Sequence, residues 1–180
     1  MSTGRIVLYI AASVDGFIAD EDGGIEWLDA FERETEDSAV GDAYEEFFGS
    51  VDCLVVGATT YEQILTFDEW PYEDRPTYVL THRDLPRATD AVAFVDGDVG
   101  TLAADLRRDH EHIWVVGGAQ VAREFLDESQ IDELRLSLVP VLLGDGISLF
   151  AADGEHHRLA LLDTVADSSG IVELRYRVSA

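Results

Sequence analysis

The sequence predicts an α/β fold: a single domain over residues 1–180, with a mixed, mostly parallel twisted sheet, helices on both faces and a C-terminal antiparallel hairpin. Strand-like and helix-like patterns alternate through the first two thirds of the chain, as in βαβ units. Two closing strand-like segments flank Asp167–Gly170, whose composition is typical of a hairpin turn. Hydrophobic residues make up 47% of the chain, which is enough for a sizeable core.

The predicted strands differ in how they should be buried. Arg5–Ala12 and Asp52–Gly57 are nearly continuous apolar runs, the pattern of strands that are covered on both faces. Ile131–Val139 alternates apolar and polar residues, the pattern of a strand with one covered face. The other predicted strands are Pro76–Thr81, Ala91–Val95, Ile113–Val116, Leu159–Val165 and Ile171–Val178.

Four helices are predicted from residue spacing and capping. Ala119–Asp127 is amphipathic, and Ala39–Phe48 has aromatic and small residues at helical spacing. The aspartate that opens 98–110 can cap a helix there, and a threonine can cap a short helix over Thr59–Leu65. Asp-Gly sequences at both ends of 15–24 predict a loop between them.

The charge balance is strongly acidic. The chain has 37 Asp and Glu against 12 basic residues, all arginine, for a net charge of -25. Such a field repels phosphate backbones and anionic lipid, so it argues against nucleic-acid and membrane partners. It suits a solvated surface in concentrated salt, where screening removes self-repulsion. A nucleic-acid mimic is the alternative, but the acids are spread along the whole chain.

Cysteine and histidine content and the lengths of the apolar runs exclude or disfavour several classes of protein. The single cysteine, Cys53, excludes a disulfide framework and a cysteine-built zinc site. His156–His157 are adjacent in a Gly/Asp-rich stretch, which favours a solvated loop over a metal site, and we predict no metal. No apolar run approaches the roughly 18 residues of a membrane span, and no signal peptide is evident. We therefore expect a soluble cytoplasmic protein.

A glycine pair gives the first candidate binding site. Ligands of open α/β sheets bind beyond the carboxyl ends of the strands. Gly117 and Gly118 lie between a predicted buried strand and a predicted helix. Glycine allows close approach of the backbone, and a helix N-terminus offers free N–H groups and a positive dipole end. The segment is a candidate pyrophosphate site, and a tight turn without a ligand is an equally weighted alternative.

Two further strand ends carry polar groups. Thr59–Thr60 follow Gly57, and their hydroxyls can cap a helix, hold phosphate, or do both; capping alone is the simpler interpretation. Thr81–Arg83 follow another predicted strand. The arginine there suits an anionic group such as a ribose phosphate, but a surface arginine paired with Asp84 is the favoured interpretation of this segment by itself.

A tryptophan with nearby acids is the candidate proton source. Trp27 lies close in sequence to Glu26, Asp29 and Glu32. A partly buried carboxylate beside an aromatic ring can have a raised pKa and deliver a proton. Residue by residue, the stronger interpretation is that these acids are solvated, like most others in the chain.

Four segments in order carry a resemblance to a known family. Residues 11–19 (AASVDGFIA) resemble the opening of the reductase domain of riboflavin biosynthesis, and 55–62 (VVGATTYE) resemble a dihydrofolate-reductase segment. Residues 113–126 (IWVVGGAQVAREFL) are similar to the glycine-pair segment of that family. Residues 132–150 resemble the tail of riboflavin-type reductases. The chain is identified as a member of the dihydrofolate-reductase-like superfamily, as a stand-alone relative of the riboflavin deaminase–reductase C-terminal domain.

The resemblance implies an NADPH-dependent reductase of a pyrimidine- or pterin-like substrate, with NADH not excluded. The favoured substrate is 5-amino-6-(5-phosphoribosylamino)uracil or a close analogue, and dihydrofolate reduction is the enzyme alternative. The matched positions imply cofactor contacts at Ala12, Ile18, Gly57, Thr59, Thr60, Thr81, His82, Arg83, Val116, Gly117, Gly118, Ala119, Gln120 and Val121.

The resemblance also implies substrate residues and a homodimer. Trp27 and Ser137 match substrate-site positions, and Glu32 falls at the spacing of the catalytic acid, with Asp29 as its competitor. One departure is Ala58, which stands where the family has an arginine that binds the 2′-phosphate. A non-catalytic nucleotide-binding module and an interaction protein are the alternatives from other functional classes.

Overall fold

The strands follow the predicted apolar runs closely. The computed structural model of the protein describes residues 4–32, 34–150 and 154–179. Its strands are β1 (Arg5–Ser13), β2 (Phe17–Ala19), β3 (Cys53–Gly57), β4 (Thr77–Leu80), β5 (Val92–Val95), β6 (His112–Gly117), β7 (Glu133–Val139), β8 (Ile147–Ser148), β9 (Arg158–Ala166) and β10 (Val172–Ser179). Most bounds differ from the predicted ones by one or two residues.

The helices also match, with one difference in capping. They are α1 (Asp29–Glu32), α2 (Ala39–Ser50), α3 (Ala58–Ile64), α4 (Val99–Asp109) and α5 (Ala119–Asp127), with a 3₁₀ turn at Glu26–Leu28 before α1. Asp98 caps α4 as predicted, because its carboxylate accepts the Thr101 N–H at 2.9 Å. The predicted threonine cap of α3 is wrong: Gly57 is the N-cap, and no side chain caps the helix. The threonines lie inside the first turn, where a capping residue cannot be.

The chain forms two compact units, and β1 runs through both. The first contains residues 4–8 and 51–131. Its strands follow the order β5-β4-β3-β6-β1, and every neighbouring pair is parallel. The sequence explains this arrangement, because β3 is buried along its whole length and needs a neighbour on each side. The carboxyl ends of β3, β4 and β6 therefore lie at the same edge.

The second unit contains residues 9–50 and 132–179, with the strand order β1-β7-β10-β9. Strand β10 is antiparallel to both β7 and β9. Gly170 in the turn between β9 and β10 has a φ of 82°, which favours glycine. The Asp167 carboxylate accepts the N–H of Ser169 in the same turn at 2.9 Å. The predicted C-terminal hairpin is confirmed.

The predicted fold class is confirmed: an α/β fold with a mostly parallel sheet and C-terminal antiparallel strands. The assignment of residues 1–180 to one domain stays a prediction. The predicted loop over 15–24 is wrong in part, since it contains β2, which pairs with β8. Within the residues that the structure describes, no helix is long and apolar enough to cross a membrane.

Candidate functional site

The glycine pair, Gly117–Gly118, and the threonine turn, Thr59–Thr60, meet at the ends of the neighbouring strands β6 and β3 in the first unit. A Cβ built on Gly118 would lie 2.9 Å from Thr60 Oγ1, and one built on Gly57 would lie 2.9 Å from Val121 Cγ2. Gly117 has a φ of 125°, and its peptide bond to Gly118 is cis. Both strand ends therefore need glycine, because any side chain would fill the space between them.

The N-terminus of α5 opens at this turn. Gly118 is its N-cap, and no side chain caps the helix. Ala119 and Val121 are buried in the first turn, while the exposed Gln120 donates to Glu124 at 2.9 Å. The free first-turn N–H groups and the positive end of the helix dipole suit a phosphate. The residues present therefore fit the pyrophosphate of a dinucleotide.

Two polar residues after β4 face acids in the same unit. The Arg83 guanidinium donates two hydrogen bonds to the Glu62 carboxylate, at 3.1 and 2.7 Å. Thr81 Oγ1 accepts the Arg83 N–H at 2.9 Å, which fixes the turn. His82 Nδ1 lies 2.5 Å from the Asp96 carboxylate. The favoured pairing of this arginine with the adjacent aspartate is wrong, since its partner lies on α3.

Asp15 joins two loops of the second unit. Its carboxylate accepts the Ser13 hydroxyl at 2.5 Å and the N–H groups of Leu143 and Gly144 at 3.2 and 2.8 Å. These hydrogen bonds, the serine's above all, lower the pKa of Asp15. The predicted cofactor residues Ala12 and Ile18 lie on the strands on either side of this loop. The sequence placed Asp15 in a turn and in the family-like segment 11–19 but assigned it no site role, although an aspartate directly after a buried strand was a usable signal.

The acids near Trp27 do not match the candidate proton source. Asp29 and Glu32 are both exposed, because neither the 3₁₀ turn nor α1 buries a residue. The partly buried carboxylate that would act as a proton source is therefore not found, and the stronger interpretation of these acids as solvated is confirmed. The Trp27 indole Nε1 is buried, and no described residue accepts a hydrogen bond from it. A buried donor without a partner is costly, so it favours an acceptor on a ligand.

Ser137 is buried in a polar network that the sequence did not indicate. Its hydroxyl donates to Tyr9, whose own hydroxyl lies 2.5 Å from the buried Glu173 carboxylate. Burial and this carboxylate raise the pKa of Tyr9. Glu173 and Ser137 are direct cross-strand partners, so the register of β7 and β10 fixes the network. The Ser137 hydroxyl thus lies beside Tyr9 in this network.

A buried carboxylate lies on the same strand as Ser137. Glu133 is fully buried, and its carboxylate accepts from Arg135 Nε at 2.8 Å and from Arg175 Nε at 2.5 Å. The Arg135 guanidinium also lies 4.8 Å from the centre of the Phe47 ring. These pairs are structural, since a carboxylate can be buried only when cations and hydrogen bonds compensate it. Among the residues that the structure describes, no group of three or more His, Cys, Asp or Glu could hold a metal ion.

Comparison with known proteins decides the family. The model of the RibD C-terminal domain family matches residues 5–173. The chain belongs to this family. Its relatives include the Bacillus subtilis (strain 168) protein YwjB, 38% identical over 148 residues that cover 81% of this chain and 82% of that protein. Another is the dihydrofolate reductase HdrB of Haloferax volcanii, 34% identical over 131 residues that cover 68% of this chain and 59% of HdrB.

Solved structures agree with the family assignment. A candidate riboflavin biosynthesis protein from Shewanella sp. PV-4 is 26% identical, with a TM-score of 0.86 over 98% of this chain and 99% of that chain. Dihydrofolate reductase from Enterococcus faecalis, complexed with NADP(H) and a second ligand, is 18% identical, with a TM-score of 0.70 over 99% of this chain and 98% of that chain. The latter likeness concerns the fold alone. The resemblance to the RibD reductase domain is confirmed, and RibD C-terminal domain membership implies an oxidoreductase.

Proposed function

We propose that the chain is a nicotinamide-dependent reductase of a pyrimidine- or pterin-like substrate. NADPH is the favoured cofactor, NADH is not excluded, and 5-amino-6-(5-phosphoribosylamino)uracil is the first substrate to test. One observation carries the proposal: the Gly118 backbone lies against Thr60 where α5 begins. A glycine turn at an uncapped helix N-terminus suits a pyrophosphate. Family membership supplies the reaction class.

The proposal assigns the dinucleotide to the strand ends of the first unit. The α5 N–H groups bind the pyrophosphate, and Thr60 adds a hydroxyl beside it. By the resemblance, Ala12 and Ile18 are also proposed as cofactor contacts. When bound, the dinucleotide supplies the hydride, and the protein orients it and excludes water. The full proposed set is Ala12, Ile18, Gly57, Thr59, Thr60, Thr81, His82, Arg83, Val116, Gly117, Gly118, Ala119, Gln120 and Val121.

Substrate recognition is proposed for Trp27 and Ser137. The unpaired Trp27 indole N–H offers a hydrogen bond to a ring nitrogen or carbonyl of the substrate. The Ser137 hydroxyl, held by Tyr9, steadies a substrate amino group, as the resemblance implies. By the resemblance, either Glu32 or Asp29 supplies the proton.

The test is consumption of NADPH in molar KCl, because the charge of -25 calls for screening. We expect Glu32→Gln or Asp29→Asn to slow turnover by at least about tenfold, a typical share for general acid catalysis, without changing cofactor affinity. Glu21→Gln changes another exposed acid of the same unit and serves as the control. Unchanged turnover in both acid variants would remove both residues from the reaction.

Dihydrofolate reduction is the second candidate, because the Haloferax volcanii relative is a dihydrofolate reductase. Dihydrofolate in the same assay separates it from the uracil substrate. The exposure of Asp29 and Glu32 favours a third outcome, a nucleotide-binding module without catalysis. That module would bind a dinucleotide but would oxidise no NADPH with either substrate.

We also propose a homodimer, through an apolar face of β7, β10 and β9. Leu161 pairs with Tyr176 and Leu159 with Val178, and the two leucines are 58% and 44% exposed. The cross-strand partners that share this face carry no charge: Leu134, Leu136, Leu138, Leu159, Leu161, Thr164, Ala166, Val172, Leu174, Tyr176 and Val178.

A second copy is the occupant that this charge pattern favours. Two chains of net charge -25 repel each other, and an uncharged face lets them meet without burying a carboxylate. Light scattering should give the mass of two chains for the wild type and of one chain for Leu161→Glu. Leu142→Glu, at a 71% exposed leucine outside this face, should stay dimeric. A monomeric wild type would refute the dimer.

A further inference from the structure

Three buried polar side chains form a chain of hydrogen bonds in the second unit. Glu173 and Ser137 are cross-strand partners on β10 and β7, and both contact the Tyr9 hydroxyl of β1. Glu173 is 3% exposed, Tyr9 7% and Ser137 8%, so water has little access to them. Tyr9 and Glu173 lie outside the four segments that carry the family resemblance, so the resemblance assigns them no role.

The Glu173 carboxylate gives this chain of hydrogen bonds a single direction. A carboxylate only accepts hydrogen bonds, and Arg135 Nη1 lies 3.9 Å from Glu173 Oε1 as its cation. The Tyr9 hydroxyl has one proton, which it donates to Glu173 at 2.5 Å. The Tyr9 oxygen then has only lone pairs to offer, so Ser137 donates its own proton to Tyr9. The Ser137 oxygen is left with lone pairs alone for any further partner.

We propose that Glu173 and Tyr9 are positioning residues that make Ser137 a hydrogen-bond acceptor for the substrate. This rests on the proposed function, in which Ser137 contacts the substrate. The substrate group that meets Ser137 must then be a donor, such as an exocyclic amino group, because a carbonyl oxygen would face a second set of lone pairs. Two acceptors that face each other in a buried place are costly, so the site should reject a carbonyl there.

Two bicyclic probes that differ in one exocyclic group test this. Pterin carries an amino group where lumazine carries a carbonyl, and each is titrated against the whole chain in molar KCl and followed by its fluorescence. The wild type should bind pterin at least about tenfold more tightly than lumazine, the typical effect of one mismatched buried polar group. In Tyr9→Phe and in Glu173→Gln, Ser137 can turn its proton towards the ligand, so lumazine should bind about tenfold more tightly than it does to the wild type.

A gain of affinity distinguishes positioning from damage, because a variant that only loosens the fold weakens the binding of both probes. Tyr78→Phe is the matched control: it removes a phenol hydroxyl that lies 3.2 Å from His110 Nε2 in the first unit, and the ratio of the two affinities should stay unchanged. If lumazine affinity rises in neither Tyr9→Phe nor Glu173→Gln, or rises equally in the control, the inference is overturned. A wild type that binds neither probe would overturn it too. The proposed function would survive these results, since it depends on NADPH oxidation with the uracil substrate.

Discussion

Adding one methyl group to Gly118 should separate the binding role of the glycine turn from its folding role. Gly118 has a φ of -74°, which alanine adopts readily. The new Cβ would lie 2.9 Å from Thr60 Oγ1, closer than carbon and oxygen normally approach. Overpacking of this kind costs about 1–3 kcal/mol of unfolding free energy. The methyl also occupies the place proposed for the pyrophosphate, so dinucleotide affinity should fall at least about tenfold.

The assay combines urea unfolding in molar KCl with calorimetric titration of NADPH. Gly49→Ala is the control, because a Cβ there meets nothing within 4 Å and the residue lies in α2. That change should stabilise the chain by up to about 1 kcal/mol and leave affinity unaltered. In a Thr60→Ala background the stability loss of Gly118→Ala should shrink by about 1 kcal/mol, because the crowding oxygen is gone. If Gly118→Ala binds NADPH as the wild type does, the turn does not hold the pyrophosphate.

Three further changes address the second unit. Glu133→Gln removes the buried charge that pairs with Arg135 and Arg175 and should lower the unfolding free energy by about 3 kcal/mol, against about 0–1 for Glu73→Gln, whose carboxylate is 72% exposed; equal losses in urea unfolding would count against burial as the cause. Hydrogen bonds lower the pKa of Asp167 to about 2, so its stabilisation is complete above its unfolded pKa near 4 and disappears as the pH falls towards 2. Asp167→Asn should therefore be less stable than wild type at pH 6 and equal to it at pH 2 in thermal unfolding; a difference that is independent of pH would contradict this. Asp15→Asn should weaken the hydrogen bond from the Gly144 N–H and speed hydrogen exchange of that amide. Unchanged exchange would mean that the link between the loops of Asp15 and Gly144 does not depend on this carboxylate.

Local patterns predicted most of the fold. The apolar run that became β3 and the amphipathic segment that became α5 have the right period and length, and their ends carry glycine. The capping role of Asp98 was predictable from the sequence, because a cap contacts a residue only three positions away, here Thr101. In contrast, β2 and β8 have three and two residues, too few for any period to show. They are strands only because distant segments lie beside each other.

The candidate site was predictable only where it depends on residues that are close together in the sequence. The glycine turn follows from local sequence, whereas the partner of Arg83 lies 21 positions away on a helix. The hydroxyl of Tyr9 meets Glu173 across 164 positions, and no pattern in a single sequence indicates such a contact. The exposure of Asp29 likewise depends on what packs against its short helix, so spacing from Trp27 could not reveal it.

The fully enclosed Glu133 carboxylate has a consequence for how the protein responds to salt. Dissolved ions reach the outside of the molecule and weaken attraction and repulsion there, but they do not enter a dry interior. The attraction between Glu133 and its two guanidinium partners, whose side chains are 16% and 33% exposed, should consequently depend less on salt than the attraction within exposed pairs. We therefore expect any loss of structure on dilution to begin among the exposed acids, while Glu133 and Arg175 still join β7 to β10.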